Sequence, residues 1–137
     1  MIAQRQPTRS RAMKNHTLTK QLNAQFNREV RTFARYLIEA AILNGADHEV
    51  ARQMYLRDAS EKLEHAQYLA EQIVALGGTP RLKSSHVCPP TDVREMLRHD
   101  ANEEQKDEKN YRQLASKAEQ ARLAQLRLRM QEDAAAG

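Results

Sequence analysis

Apolar residues return along the chain at intervals of three and four, in long blocks separated by short polar turns. From Thr17 to Asn44 the series Leu22, Phe26, Val30, Phe33, Leu37 and Ala40 marks one face of an amphipathic helix, which Asn44-Gly45 ends. Asp47 is the expected N-cap of a second helix, with Glu49 in the first turn, where the helix dipole favours an acid. That helix is expected from His48 to about Leu76, buried along Met54 or Tyr55, Ala59, Leu63, Ala66, Leu69, Ile73 and Leu76, and stopped by Gly77-Gly78. So short a link makes the first two helices antiparallel neighbours.

The stretch GGTPRLKSSHVCPP from Gly77 to Pro90 has turn chemistry and no helical stripe. Fully extended it reaches about 46 Å, and a helix of about 29 residues is about 44 Å long. The loop can therefore run the length of a bundle and set a third helix parallel to the second. Thr91 is expected to cap that third helix, and no glycine or proline follows before Gly137. Either one helix runs on to Ala135, or a break near Ser116 starts a short fourth helix buried along Leu123, Leu126 and Met130.

Composition agrees with an all-α protein: four glycines and four prolines in 137 residues leave long stretches to strong helix formers. A 40% hydrophobic content in a chain of this length fits one domain with one core. No apolar run approaches the roughly 20 residues of a bilayer span, and no short apolar block follows the basic N-terminus as in a secretory signal. The expectation is a cytoplasmic protein with no membrane contact. The single Cys88 makes no intrachain disulfide, in keeping with a reducing compartment.

The net charge of +4 is unevenly spread, because residues 1–28 hold Arg5, Arg9, Arg11, Lys14, Lys20 and Arg28 and no acid. Residues 1–16 read as a flexible basic arm and residues 17–137 as the helical domain. Arg5, Arg9, Arg11 and Lys14 are candidates for phosphate contacts with nucleic acid, set against the plainer reading of a solvated tail.

Three residues able to ligate a metal fall in three separate helical blocks: Glu29, His65 and Glu104. The strings around them are LNAQFNREV with YLIEA, EKLEHAQYLAEQIVALGGTP, and DVREMLRHDANEEQKDEKNYRQL. Together with the order of elements, these strings resemble bacterioferritin and the wider ferritin-like superfamily over residues 18 to 118. The resemblance implies a ferritin-like helical bundle with three long helices, a long crossover loop and a fourth helix that is short or missing. It also implies iron handling or storage, with ferroxidase activity at a di-iron centre built from one glutamate on each of two helices and a Glu-x-x-His pair on each of the other two.

Carried over by position, Glu29, His65 and Glu104 take metal-ligand places, and Lys62 stands where the bridging glutamate of the second helix belongs. On the fourth helix Glu132 is followed three residues later by Ala135, so no Glu-x-x-His counterpart is found there. The residue corresponding to the haem-bridging methionine is Leu63, so no haem is expected. Iron binding is accordingly expected to be weak or absent, because two cations held close together need several bridging anionic oxygens and an ammonium opposes them.

The reading is a bacterioferritin-like protein with a degenerate ferroxidase centre, structural rather than catalytic. It is expected as a homo-oligomer, a dimer or a cage, or in a mixed shell with an intact ferritin-like paralogue. Two alternatives stand beside it: a single Zn or Fe held by Glu29, His65 and Glu104, and a DNA-associating scaffold of the mini-ferritin kind using the N-terminal arm. His86-x-Cys88 with His99 has too few ligands to read as more than a loop.

Overall fold

In a computed structural model, residues 9–83 and 86–136 are described, with side chains from Asn15 onward. Arg5 lies outside the described residues, as do the side chains of Arg9, Arg11 and Lys14. Four helices follow one another: α1, Arg9–Ile42; α2, Glu49–Ala75, entered through a 3₁₀ turn at Ala46–His48; α3, Val93–Gln120; and α4, Ala124–Ala135.

α1 begins two turns before Thr17. Its end is set by Gly45, whose φ of 89° is open to glycine and costly for other residues. The N-caps differ from expectation. His48, not Asp47, precedes α2 and makes no side-chain cap. At α3 it is Asp92, not Thr91, whose carboxylate accepts from the Glu95 amide.

α2 ends in a Schellman motif: the Gly78 amide donates to the Ile73 carbonyl at 2.9 Å and that of Gly77 to Val74 at 3.0 Å, with Gly77 at φ 87°. α3 ends the same way, five residues beyond the break expected near Ser116. There the Leu123 amide reaches the Ala118 carbonyl at 2.9 Å and that of Arg122 reaches Glu119 at 3.0 Å. The left-handed residue here is Arg122, at φ 60°.

α1 and α2 form an antiparallel hairpin, and so do α3 and α4. Tyr111 meets Glu29 whereas Glu104 meets Tyr36, so α3 runs antiparallel to α1 and hence parallel to α2. The crossover between α2 and α3 lies along α1, where two asparagines one turn apart hold it. The Asn23 side chain donates to the Thr79 carbonyl and accepts from the Arg81 amide. Asn27 repeats the pattern with the Arg81 carbonyl and the Lys83 amide.

One end of the bundle is apolar through all four helices, with Leu18, Leu22, Leu69, Ile73, Leu114, Leu126 and Met130 interlocked. A second cluster of Tyr36, Ala40, Leu43, Tyr55, Ala59 and Met96 draws on α1, α2 and α3 alone. At about 18 Å, α4 is less than half as long as α2, at about 40 Å, and so spans only part of the bundle. Leu37 and Leu63, expected on buried stripes, are 43% and 53% exposed, and of Met54 or Tyr55 it is Tyr55 that is buried. The inner line of α1 is instead Leu22, Gln25, Glu29, Thr32, Tyr36, Glu39 and Leu43, polar through its middle.

Candidate functional site

The polar middle layer is built from four helices that each turn a helically spaced line inward. Gln25, Glu29 and Tyr36 come from α1, Lys62 and His65 from α2, Glu104, Asp107 and Tyr111 from α3, and Asp133 from α4. Glu29, Lys62, Asp107 and Asp133 are all buried. Leaving charged groups in such a place is costly unless each has a partner.

The partners fall into two linked halves. In the first, the Lys62 ammonium lies 3.0 Å from one oxygen of Glu104 and 3.9 Å from Asp107. The Tyr36 hydroxyl donates to Glu104 at 2.6 Å, while Arg28 secures Asp107 and Glu103, each at 2.9 Å. In the second half, His65 Nδ1 faces Glu29 Oε2 at 3.5 Å and its Nε2 faces Asp133 at 3.7 Å. The other Glu29 oxygen accepts from the Tyr111 hydroxyl at 2.8 Å and from Gln25 at 2.9 Å. Gln25 also donates to Asp107 and so ties the halves together.

These contacts set the charge states. Burial opposes the charge of Glu29, but the facing His65 and the Lys62 ammonium more than offset it and hold the carboxyl below the usual carboxylate range. Burial likewise disfavours protonated His65 and Lys62. The carboxylates of Glu29 and Asp133 nevertheless raise His65 above its ordinary value, and those of Glu29, Glu104 and Asp107 do the same for Lys62. Burial and the neighbouring carboxylates push Tyr36 and Tyr111 far up, so both remain phenol donors.

Of the three ligand candidates, Glu29 and His65 are brought face to face. Glu104 lies beyond them in the Lys62 half. Among the described residues, no group of three or more His, Cys, Asp or Glu side chains is disposed to hold a metal ion.

Sequence reasoning missed two of the cluster's carboxylates. Asp107 follows Glu104 by three residues, a same-face spacing that could have been noticed. Asp133 points inward from α4 while Glu132 is exposed, and Ala136, three residues on, lines the same cavity of about 170 Å³. Asp133 continues the stripe of Leu126 and Met130 expected for a fourth helix, so its inward place was legible from that spacing.

The model of the ferritin-like domain matches residues 19–132. The chain belongs to that family. No curated protein matches it. Among solved structures, this ferritin-like domain is similar to a ferritin-like, diiron-carboxylate protein from Bacillus anthracis str. Ames. The two share 29% identity and a TM-score of 0.84, covering 89% of this chain and 88% of that one. It also resembles a dodecameric thioferritin, the bacterioferritin-related protein from Bacteroides fragilis, at 21% identity and a TM-score of 0.68 over 88% and 83% of the respective chains. That second likeness bears on the fold alone.

A second buried polar group lies farther along α1. Arg35 Nε contacts Asp100 at 2.9 Å and Glu39 at 3.3 Å, and the Tyr55 hydroxyl donates to Asp100 at 2.8 Å. Glu39 is fully buried, and burial together with Asp100 raises its carboxyl well above the ordinary range. Its sequence signal was an acid between Tyr36 and Leu43 on the same face of α1.

Proposed function

We propose that this ferritin-like domain serves iron handling as a structural subunit, with an ion-pair network standing where a dinuclear metal centre would be held. The likeness to a diiron-carboxylate protein supports the first half of this reading. The position of Lys62 carries the second.

A dinuclear centre is a cluster of carboxylates neutralised by two metal cations. Here the carboxylates of Glu29, Glu104, Asp107 and Asp133 are present, but the neutralising charges belong to the protein. Lys62 serves Glu104 and Asp107, Arg28 also meets Asp107, Arg129 meets Asp133 at 3.1 Å, and His65 lies between Glu29 and Asp133, whose carboxylates favour its protonated form. A metal pair would have to expel an ammonium held at 3.0 Å from a carboxylate, and Ala136, three residues past Asp133 in the cavity lining, offers no imidazole. The residues present therefore do not fit two irons, and no oxidation step is derived through them.

Anaerobic Fe(II) titration tests this reading. The unaltered chain is expected to hold less than one tight iron per subunit and to consume no oxygen above background. The double variant Lys62→Glu/Ala136→His, which supplies the missing carboxylate and imidazole, is expected to gain iron. Two tightly held irons in the unaltered chain would refute the substitution argument.

A single-ion reading rests on one observation: Glu29 Oε2 and His65 Nδ1 are both buried without a hydrogen-bond partner, 3.5 Å apart. One ion at about 2.1 Å from each could bridge them. Two protein ligands are one fewer than catalytic zinc sites use. Zn(II) titration of the protein and of His65→Ala separates the two readings.

Exposed Leu37, Ile38, Leu63 and Val74 favour assembly into a homo-oligomer. Sedimentation tests this directly, a stable monomer being the contrary result.

A further inference from the structure

α1 carries a row of cations on the side that faces the crossover. Arg28, Arg31 and Arg35 succeed one another at three and four residues. With Thr32, His99, Glu103 and crossover residues 86–90, they line a cavity of about 370 Å³.

The partners of these cations leave a surplus. Arg28 is committed to Glu103 and Asp107. Glu103, the one acid among the described lining residues, is in turn neutralised by Arg28 and by Lys106 at 3.2 Å, which hold its carboxyl low against the opposing effect of burial. Arg35 uses Nε for Asp100 and Glu39, but one terminal guanidinium nitrogen is buried with no hydrogen-bond partner. A buried donor left so is costly, and more so when charged. Arg31 is exposed and makes no ion pair among the described residues. Arg31, with its donors free, and Arg35 stand one helical turn apart on this lining, and arginine takes tetrahedral oxyanions through its forked donors.

The lining does not end at Arg31. Arg28 and Arg31 also border a trough of about 790 Å³ that continues along α1 past Lys20, Arg81 and Lys83, with no acid among its described lining residues. No Phe, Tyr or Trp lines either space, so there is no platform on which a base would stack.

The geometry points to a binding site for phosphate groups, with the terminal phosphate taken by Arg31 and Arg35 and further phosphates lying along Lys20, Arg81 and Lys83. A free phosphate chain and a nucleoside-borne one present the same chemistry here. The site shares Arg28 and its partner Glu103 with the Lys62 network and does not depend on what that network replaces.

Isothermal titration of the full chain at low salt with inorganic phosphate, tripolyphosphate and ATP tests the proposal. Tripolyphosphate is expected to bind at least tenfold more tightly than phosphate, with affinity falling as salt rises. Arg31→Ala, at an exposed position that leaves the fold intact by circular dichroism, should cost tenfold or more for all three ligands. Arg81→Ala should weaken tripolyphosphate and ATP while leaving phosphate unchanged. ATP binding no more tightly than tripolyphosphate supports a free phosphate chain, and tighter ATP binding supports a nucleoside-borne one. Failure of tripolyphosphate to bind, or binding indifferent to Arg31→Ala, overturns the proposal.

Discussion

Replacing Lys62 with methionine keeps an unbranched apolar stem of similar length and removes one charge from the bundle interior. The Lys62 side chain is 8% exposed and lies 3.0 Å from Glu104 and 3.9 Å from Asp107. At an effective dielectric of about 20, each contact represents roughly 4–6 kcal/mol of gross Coulomb attraction. Most of this is offset by the cost of taking the ammonium out of water. Removing one partner of a buried pair still destabilises by about 3–5 kcal/mol, because the carboxylates stay behind. Glu104 is partly exposed and can rehydrate, so the expected loss for Lys62→Met is at the low end, about 3 kcal/mol, or about 10 °C in melting temperature for a domain of this size.

Urea denaturation across pH supplies the sharper check. The Lys62 pKa is raised in the fold, so its contribution is complete below its ordinary value of 10.5 and is lost as pH climbs past the folded value. The Glu29 pKa is lowered, so its contribution is present above 4.5 and is lost as pH falls through the folded value. The gap between the two proteins should therefore be level from roughly pH 5 to 10 and should close in acid, as the carboxylates protonate in both. Equal stability at pH 7, or a gap that persists undiminished at about pH 2, would refute the view that Lys62 neutralises this layer.

Three further outcomes follow from single features. Glu39 is held protonated by burial and by Asp100, so its contribution is whole below 4.5 and is lost as pH rises toward the folded value. Glu39→Gln should match the parent near pH 5 and exceed it by about 1–2 kcal/mol at roughly pH 8 in chemical denaturation. Arg122→Gly relieves a left-handed residue of its Cβ clash and should add about 1 kcal/mol to the unfolding free energy, against a loss if the α3–α4 turn were unstrained. The pair Asn23→Ala/Asn27→Ala removes four hydrogen bonds to the crossover. At about 0.5–1 kcal/mol each, their loss should open the segment to trypsin at Arg81 and Lys83 while the helices stay folded, and unchanged cleavage would show that the crossover is held by other contacts.

What could be read from the chain depended on whether a residue's role followed from its own neighbours in sequence. Helical periodicity located three long helices, and Gly45 and Gly77 marked two of their ends, because a positive φ leaves glycine as its usual signature. The end of α3 left no such mark. Arg122 occupies the same backbone position as Gly77, held by the two hydrogen bonds of the turn and by Leu123 and Leu126 packed against the core beyond it. The phase of α4 was legible all the same, since the stripe of Leu126 and Met130 leads to Asp133 three residues on, but an acid at the end of an apolar stripe gives no sign of the His65 it faces.

Periodicity also misplaced the inner face of α1 by about one position. It counts apolar residues, whereas the innermost line holds Gln25, Glu29, Thr32 and Glu39. A helix that buries polar side chains while leaving Leu37 and Ile38 exposed departs from the ordinary hydrophobic order, and such departures are expected where chemistry or assembly takes precedence over stability. The inner face of α1 retains the polar line that a metal cluster would require, while α2 contributes an ammonium in its midst. Lys62 alone cannot balance four carboxylates. Arg28 meets Asp107 and Arg129 meets Asp133, and the place of His65 between Glu29 and Asp133 supplies a field that favours its protonated form. Deprotonating His65 should therefore weaken the same layer as deleting Lys62, and the decline in stability as pH rises past 6.5 should be steeper in the parent than in His65→Gln, which keeps only the loss due to Glu39, a difference that thermal melts at pH 6 and pH 9 would resolve.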